Sequence, residues 1–119
     1  MDRPSHKELS NKLREARAAV QNRRVFLIDH DAMAADAIEL RYDIGGELFE
    51  ILEELLEKAD LKHYAGSNPP QKSYKDAIHG LELYPFTIES LGLGCAVYLK
   101  FALAKGALWL VSLHKERRH

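Results

Sequence analysis

Residues Leu81–His114 read LELYPFTIESLGLGCAVYLKFALAKGALWLVSLH. Three apolar runs follow one another here: Leu83–Glu89, Ala96–Leu103 and Ala107–His114. Each is strand-sized, and rich in β-branched or aromatic residues. Gly92 and Gly94 punctuate the first junction and Gly106 the second. The stretch predicts a three-strand antiparallel meander.

The register of the second hairpin decides which side chains share a face, because a one-residue slip exchanges every side chain between faces. A loop of Lys105-Gly106 alone would set Tyr98 and Lys100 beside Trp109, Val111 and Leu113. A loop of Ala104-Lys105-Gly106, with Gly106 in the left-handed position of a bulged hairpin, sorts the faces better. One face then carries Val97, Leu99, Phe101, Leu103, Ala107, Trp109, Val111 and Leu113. The other carries Tyr98, Lys100, Ala102, Leu108, Leu110, Ser112 and His114. This register is preferred. It makes Trp109 a core residue and gathers Tyr98, Lys100, Ser112 and His114 as a candidate site.

The other residues frame this sheet. A chain of 119 residues, 46% hydrophobic and 29% charged, suits one soluble domain with a genuine core. Its predicted parts are an N-terminal helix over 1–24, a helical middle and loop over 25–80, and the meander over 81–116. No run is long enough to span a membrane, and the polar opening Met1–Asn22 does not resemble a signal peptide. The lone Cys95 excludes an intrachain disulfide, so a cytoplasmic location is expected. The formal charge of −1 conceals basic ends: +4 over 1–24, −9 over 25–94 and +4 over 95–119. Basic ends that met in space would form a polyanion patch.

Ser5 and Glu8 have capping-box spacing, and Leu9, Leu13, Ala16 and Val20 recur at helical intervals. The first helix is therefore predicted over 5–21, with Lys7, Lys12, Arg14 and Arg17 on its exposed face. Arg23–Ile28 suits either a strand or an extended linker. In Asp29-His30-Asp31, the aspartate before a helical pattern reads as an N-cap rather than a metal ligand. A short helix is predicted over 32–40. A strongly amphipathic one follows over 43–59, with Ile44, Leu48, Ile51, Leu52, Leu55 and Leu56 in one stripe. Its five glutamates read as a solvated face. This helix is expected to cross the meander and supply most of the core. Residues 65–72 are a loop by composition. There is no Walker spacing, no CxxC pair and no G-x-S-x-G elbow.

The order of motifs over Val25–Glu116 resembles the motility quorum-sensing regulator (MqsR) toxins, part of the RelE-like group. Leu40-Arg41-Tyr42-Asp43-Ile44-Gly45-Gly46 and the helix after it look like that family's helical middle. Asp60-Leu61-Lys62-His63-Tyr64 is similar to its acidic–aromatic segment, and Tyr74-Lys75-Asp76 to a triplet before the sheet. Val97-Tyr98-Leu99-Lys100 and Val111-Ser112-Leu113 resemble its last strands.

The resemblance implies a RelE-like α+β fold, with N-terminal helices before a three-strand antiparallel sheet. It also implies a metal-independent mRNA endonuclease without cofactors, held by a cognate antitoxin and acting on free mRNA or on the ribosome. Tyr98 matches the family tyrosine. His114 or Lys115 takes the place of the last basic residue, and Lys75 falls where the family has a glutamine. Ala65 replaces a family lysine, with Lys62 or Lys72 as substitutes.

Metal-free RNA cleavage needs a base, an acid and a cation for the phosphoryl group. His114 would serve as acid or base, Lys100 or Lys115 as cation, and Tyr98 as positioner. Lys72, Arg117 and Arg118 would hold backbone phosphates. The alternative is a catalytically inactive module of the same fold that binds protein or nucleic acid.

Overall fold

The structure, a computed structural model, describes residues 6–66 and 70–117. The expected capping box at Ser5 lies outside them. Helix α1 spans His6–Gln21, strand β1 Val25–Leu27, α2 His30–Leu40 and α3 Leu48–Lys58. Strands β2 (Tyr84–Ser90), β3 (Cys95–Ala104) and β4 (Ala107–Lys115) follow, after short 3₁₀ turns at Leu61–His63 and Asp76–Ile78.

The α+β class agrees with the sequence, but the sheet has four strands and is mixed. Its order is β1-β4-β3-β2, with β1 parallel to β4 and the other pairs antiparallel. The run 23–28 is thus an edge strand, as Val25, Phe26 and Leu27 pair with Leu108, Trp109 and Leu110.

The second hairpin corrects the register in an instructive way. Ala104 pairs with Ala107, so the loop is Lys105-Gly106 after all. Both residues take positive φ, 52° and 76°, as a type I′ turn requires. Phe101 and Leu110, and Leu103 and Leu108, then share the core face. Beyond Lys100 the ladder slips by one residue, because Lys100 faces Ser112 while Phe101 faces Leu110. Val111 is the extra residue of this β-bulge. The bulge restores the parity, so Leu99 and Leu113 again point into the core. Trp109 and Val111, expected inside, lie on the opposite face instead.

The three helices all cover the core face. Leu9, Leu13 and Ala16 of α1, Met33 and Ala37 of α2, and Leu52, Leu55 and Leu56 of α3 pack on Phe86, Leu99, Phe101, Leu110 and Leu113. Helix α3 does not cross the whole meander; it rests on α1 and β2, while α2 lies on β4. It also starts at Leu48 rather than Asp43. Gly45-Gly46 disfavours helix, and Asp43 organises a turn there. The Asp43 carboxylate accepts from Gly45 N (3.1 Å), and Glu47 Oε1 accepts from Asp43 N (2.8 Å). Asp29 caps α2 as expected, accepting from Ala32 N at 3.0 Å.

Two charged surfaces are less free than their sequence suggested. Arg17 donates to the Leu56 and Ala59 carbonyls (2.7 and 3.1 Å), satisfying orphan acceptors at the end of α3. Glu54 accepts from Ser90 Oγ (2.8 Å) and Leu91 N (3.0 Å), which ties α3 to the β2–β3 turn. No described helix is long and apolar enough to cross a membrane.

Tyr42 is buried at 8% exposure, and its hydroxyl has no hydrogen-bond partner among the described residues. Burial, reinforced by Asp36, pushes its pKa from 10 to about 12. The folded state therefore holds this proton more tightly than the unfolded chain. Its contribution is complete below pH 10 and is lost as pH rises through about 12. Tyr42→Phe is expected to raise stability at neutral pH by about 1 kcal/mol, since an unpaired buried hydroxyl is costly. It should also flatten the alkaline arm of a urea-denaturation series.

Candidate functional site

The helices leave the second face of the sheet largely uncovered. A small cluster of Ile78, Leu83 and Ala102, joined by Ile28, Leu81, Trp109 and Val111, occupies its middle. Beside it, the β3–β4 ladder contributes a polar group, flanked by Pro85 and Thr87 of β2. Tyr98 lies opposite His114, and Lys100 opposite Ser112. Side chains of directly opposed residues share a face, so all four point the same way. The sequence placed this cluster correctly, although it placed the turn wrongly.

The Tyr98 and His114 rings are stacked, with centroids 5.1 Å apart and an interplanar angle of 25°. Lys100 Nζ lies 5.9 Å from the centre of the Tyr98 ring. His114 Nδ1 is 2.8 Å from the Lys115 carbonyl oxygen. A carbonyl only accepts, so this contact assigns the proton of the neutral ring to Nδ1. Nε2 then carries the lone pair and is free to act as a base. Burial raises the Tyr98 pKa above that of an ordinary phenol, so its hydroxyl stays a donor.

Beside this group is a cleft of about 200 Å³, lined by Ala65, Gly66, Gln71, Leu83, Pro85, Tyr98 and Lys100. Two chain segments form its wall by pairing along the free edge of β2. Ala65 N donates to the Pro85 carbonyl (2.9 Å), and Leu83 N donates to the Gln71 carbonyl (2.8 Å). Gly66 lies so close to the Tyr64 phenol that a Cβ there would collide with it. The sequence did not single out Gln71. It lies in a Pro- and Gly-containing loop without periodicity, and only the pairing of 71–73 with 81–83 brings it to the cleft.

The remaining predicted residues are dispersed. Lys115 lies opposite Val97, and so on the helix side of the sheet. Arg117 also turns that way and pairs with Asp36 of α2 at 3.6 Å. The Lys72 backbone pairs with that of Glu82 in an isolated antiparallel β-bridge, and Lys72 lines a separate cleft with Lys12, Tyr84 and Leu103. Lys75 is exposed at the start of the Asp76–Ile78 turn, and Lys62 is exposed in the Leu61–His63 turn. Arg118 lies outside the described residues. Among the described basic residues of α1, Lys12 pairs with Glu15 at 3.5 Å, and Arg17 caps α3.

No protein-family model and no curated protein matches the chain. The chemistry therefore follows from the side chains. Among the described residues, no three His, Cys, Asp or Glu side chains converge as metal ligands. What converges is a proton acceptor, a phenol, a hydroxyl and an ammonium group beside a polar cleft. Such a set has the chemistry to hold an anionic group and to pass a proton to or from it.

Proposed function

We propose that the protein is a metal-independent endoribonuclease of the RelE/MqsR kind, which cleaves mRNA and is held by a cognate antitoxin. The observation that carries this reading is the stacked Tyr98–His114 pair beside Lys100, on the sheet face the helices leave uncovered. The motif order from Val25 to Glu116 supports it.

In this reading the 2′-oxygen bonds to phosphorus as the P–O5′ bond breaks. His114 Nε2 takes the 2′-hydroxyl proton. Lys100 and Ser112 stabilise the crowded phosphoryl oxygens. The Tyr98 phenol gives its proton to the departing 5′-oxygen. The products are a 2′,3′-cyclic phosphate and a 5′-hydroxyl, and solvent carries the imidazolium proton back to the tyrosine.

One observation favours the second reading, a binding module without catalysis. Ala65 lines the cleft where the resemblance calls for a lysine, and Lys100 is the one cation among the described lining residues. The test is incubation of purified protein with single-stranded RNA in excess EDTA, with and without ribosomes. Fragments ending in 2′,3′-cyclic phosphate are expected. Intact RNA under both conditions would replace the nuclease by the binding module.

A further inference from the structure

A second aromatic pair stands on the same face. Phe26 of β1 stacks on Trp109 of β4, with ring centroids 4.8 Å apart and planes inclined at 28°. Trp109 is half-buried against Ile78, Leu83 and Ala102, whereas Phe26 is 43% exposed. An outer aromatic face is thus presented to solvent on a rigid support. Arg24, two residues before Phe26, reaches across the β3–β4 turn to the Lys105 carbonyl at 3.5 Å. The Arg24 guanidinium is thus held at the turn that ends the platform, while Lys105 lines a cleft against α1 with Lys12 and Glu15.

The other end leads to the candidate catalytic group. Trp109 pairs with Ala102, and His114 with Tyr98, four residues further along β3. At the rise of a strand this is about 13 Å. Val111 and Ser112 on β4 and Lys100 on β3 fill the interval, without a carboxylate between the two aromatic pairs. Ile78 packs with Ala102 on the β3 side of this track, and Ile28 joins Trp109 and Val111 on the β4 side. An aromatic platform, an arginine at one end and a lysine along the way suit a single-stranded polynucleotide: every base has a π-face, and every step carries a phosphate.

We infer that Phe26, backed by Trp109, is a base-stacking subsite for single-stranded RNA, with Arg24 on the adjacent phosphate. The inference deepens the ribonuclease reading and rests on it for the direction of the strand. The subsite holds a base a few nucleotides from the phosphate at His114 and so places the scissile bond.

Trp109 is the sole tryptophan of the chain, so stacking has its own signal. The probe is a short, mixed-sequence 2′-O-methyl RNA, which lacks the attacking hydroxyl, titrated into wild-type protein while Trp109 fluorescence is recorded. An abasic oligomer of equal charge is the control. Saturable quenching is expected with the RNA and not with the abasic strand. Phe26→Leu keeps an apolar cover on Trp109, and so the fold, but removes the π-face. It should weaken binding about 5- to 100-fold, and Phe26→Tyr should restore it.

Equal affinity of Phe26→Leu and wild type, or equal quenching by the abasic strand, would overturn the subsite. Failure of the nuclease reading looks different. In that case cleavable RNA stays intact, while the dependence of quenching on Phe26 persists.

Discussion

His114→Ala is expected to slow RNA cleavage in excess EDTA by about 10²–10⁴-fold, the usual worth of a positioned proton-transfer group. The expectation rests on how the imidazole is held. Its ring lies against Tyr98 at 5.1 Å, and its Nδ1 is tied to the Lys115 carbonyl at 2.8 Å. The protein itself thus fixes the orientation of the ring and, in its neutral form, the tautomer. Alanine removes the lone pair on Nε2, and no other described side chain in the group replaces it: Lys100 and Tyr98 are donors, and Ser112 is a poor base.

The fold should tolerate the change. His114 is half-buried at the end of an edge-proximal ladder, and loss of one aromatic contact costs about 0.5–1.5 kcal/mol. Affinity for a non-cleavable 2′-O-methyl strand should stay within a few-fold of wild type, so the loss should fall on the single-turnover rate. An unchanged rate with intact folding would remove His114 from the mechanism. A rate lost together with affinity would recast it as a binding residue. Tyr98→Phe should have a smaller effect, since solvent can supply the proton to the 5′-oxygen less efficiently than a fixed phenol.

The site was partly legible because strand periodicity is local. Tyr98 and Lys100 alternate with Leu99, and Ser112 and His114 with Leu113, so each pair shares a face of its own strand, and the register of β3 on β4 joins the two pairs. The hairpin register was not legible. One choice fits the turn and another fits the distal strands, and the bulge at Val111 allows both. An inserted residue changes parity without leaving a compositional mark, so Trp109 was read as core.

Other features depend on distance. A three-residue run such as Val25–Leu27 becomes a strand only through β4, which lies more than eighty residues away in sequence. Arg117 looked like a phosphate-binding tail residue. Its pairing with Asp36 joins the end of the chain to α2, and no spacing in the sequence encodes it. Lys115 follows the same parity that placed His114, and strict alternation would already have sent it to the other face.

Phe86→Ala is the expected large effect on stability, and it connects the core to the cleft. Phe86 is fully buried. Its ring stacks with Phe101 at 5.9 Å and 10°, and meets Tyr64 edge-on at 5.7 Å and 73°. Removing a buried phenylalanine ring costs about 3–5 kcal/mol, since the cavity adds to the lost transfer energy. For a domain of this size that is a large share of a total near 5–15 kcal/mol, and should lower Tm by roughly 10–20 °C. Phe86→Leu keeps most of the volume and should cost well under half as much.

The position also predicts a functional consequence below the unfolding temperature. Tyr64 bridges to Phe86, and the next residue, Ala65, donates to the Pro85 carbonyl. Without the ring, Tyr64 loses its support, and the Ala65–Gly66 wall that rests on it is released. The cleft should then hold the phosphate less firmly, so Phe86→Ala should raise KM for RNA at temperatures where circular dichroism still shows a folded protein. Thermal denaturation and steady-state kinetics on the same preparations measure both. A large drop in Tm with KM unchanged would show that the cleft wall stands without Tyr64 packing. A small drop in Tm would contradict the position of Phe86 at the centre of the core.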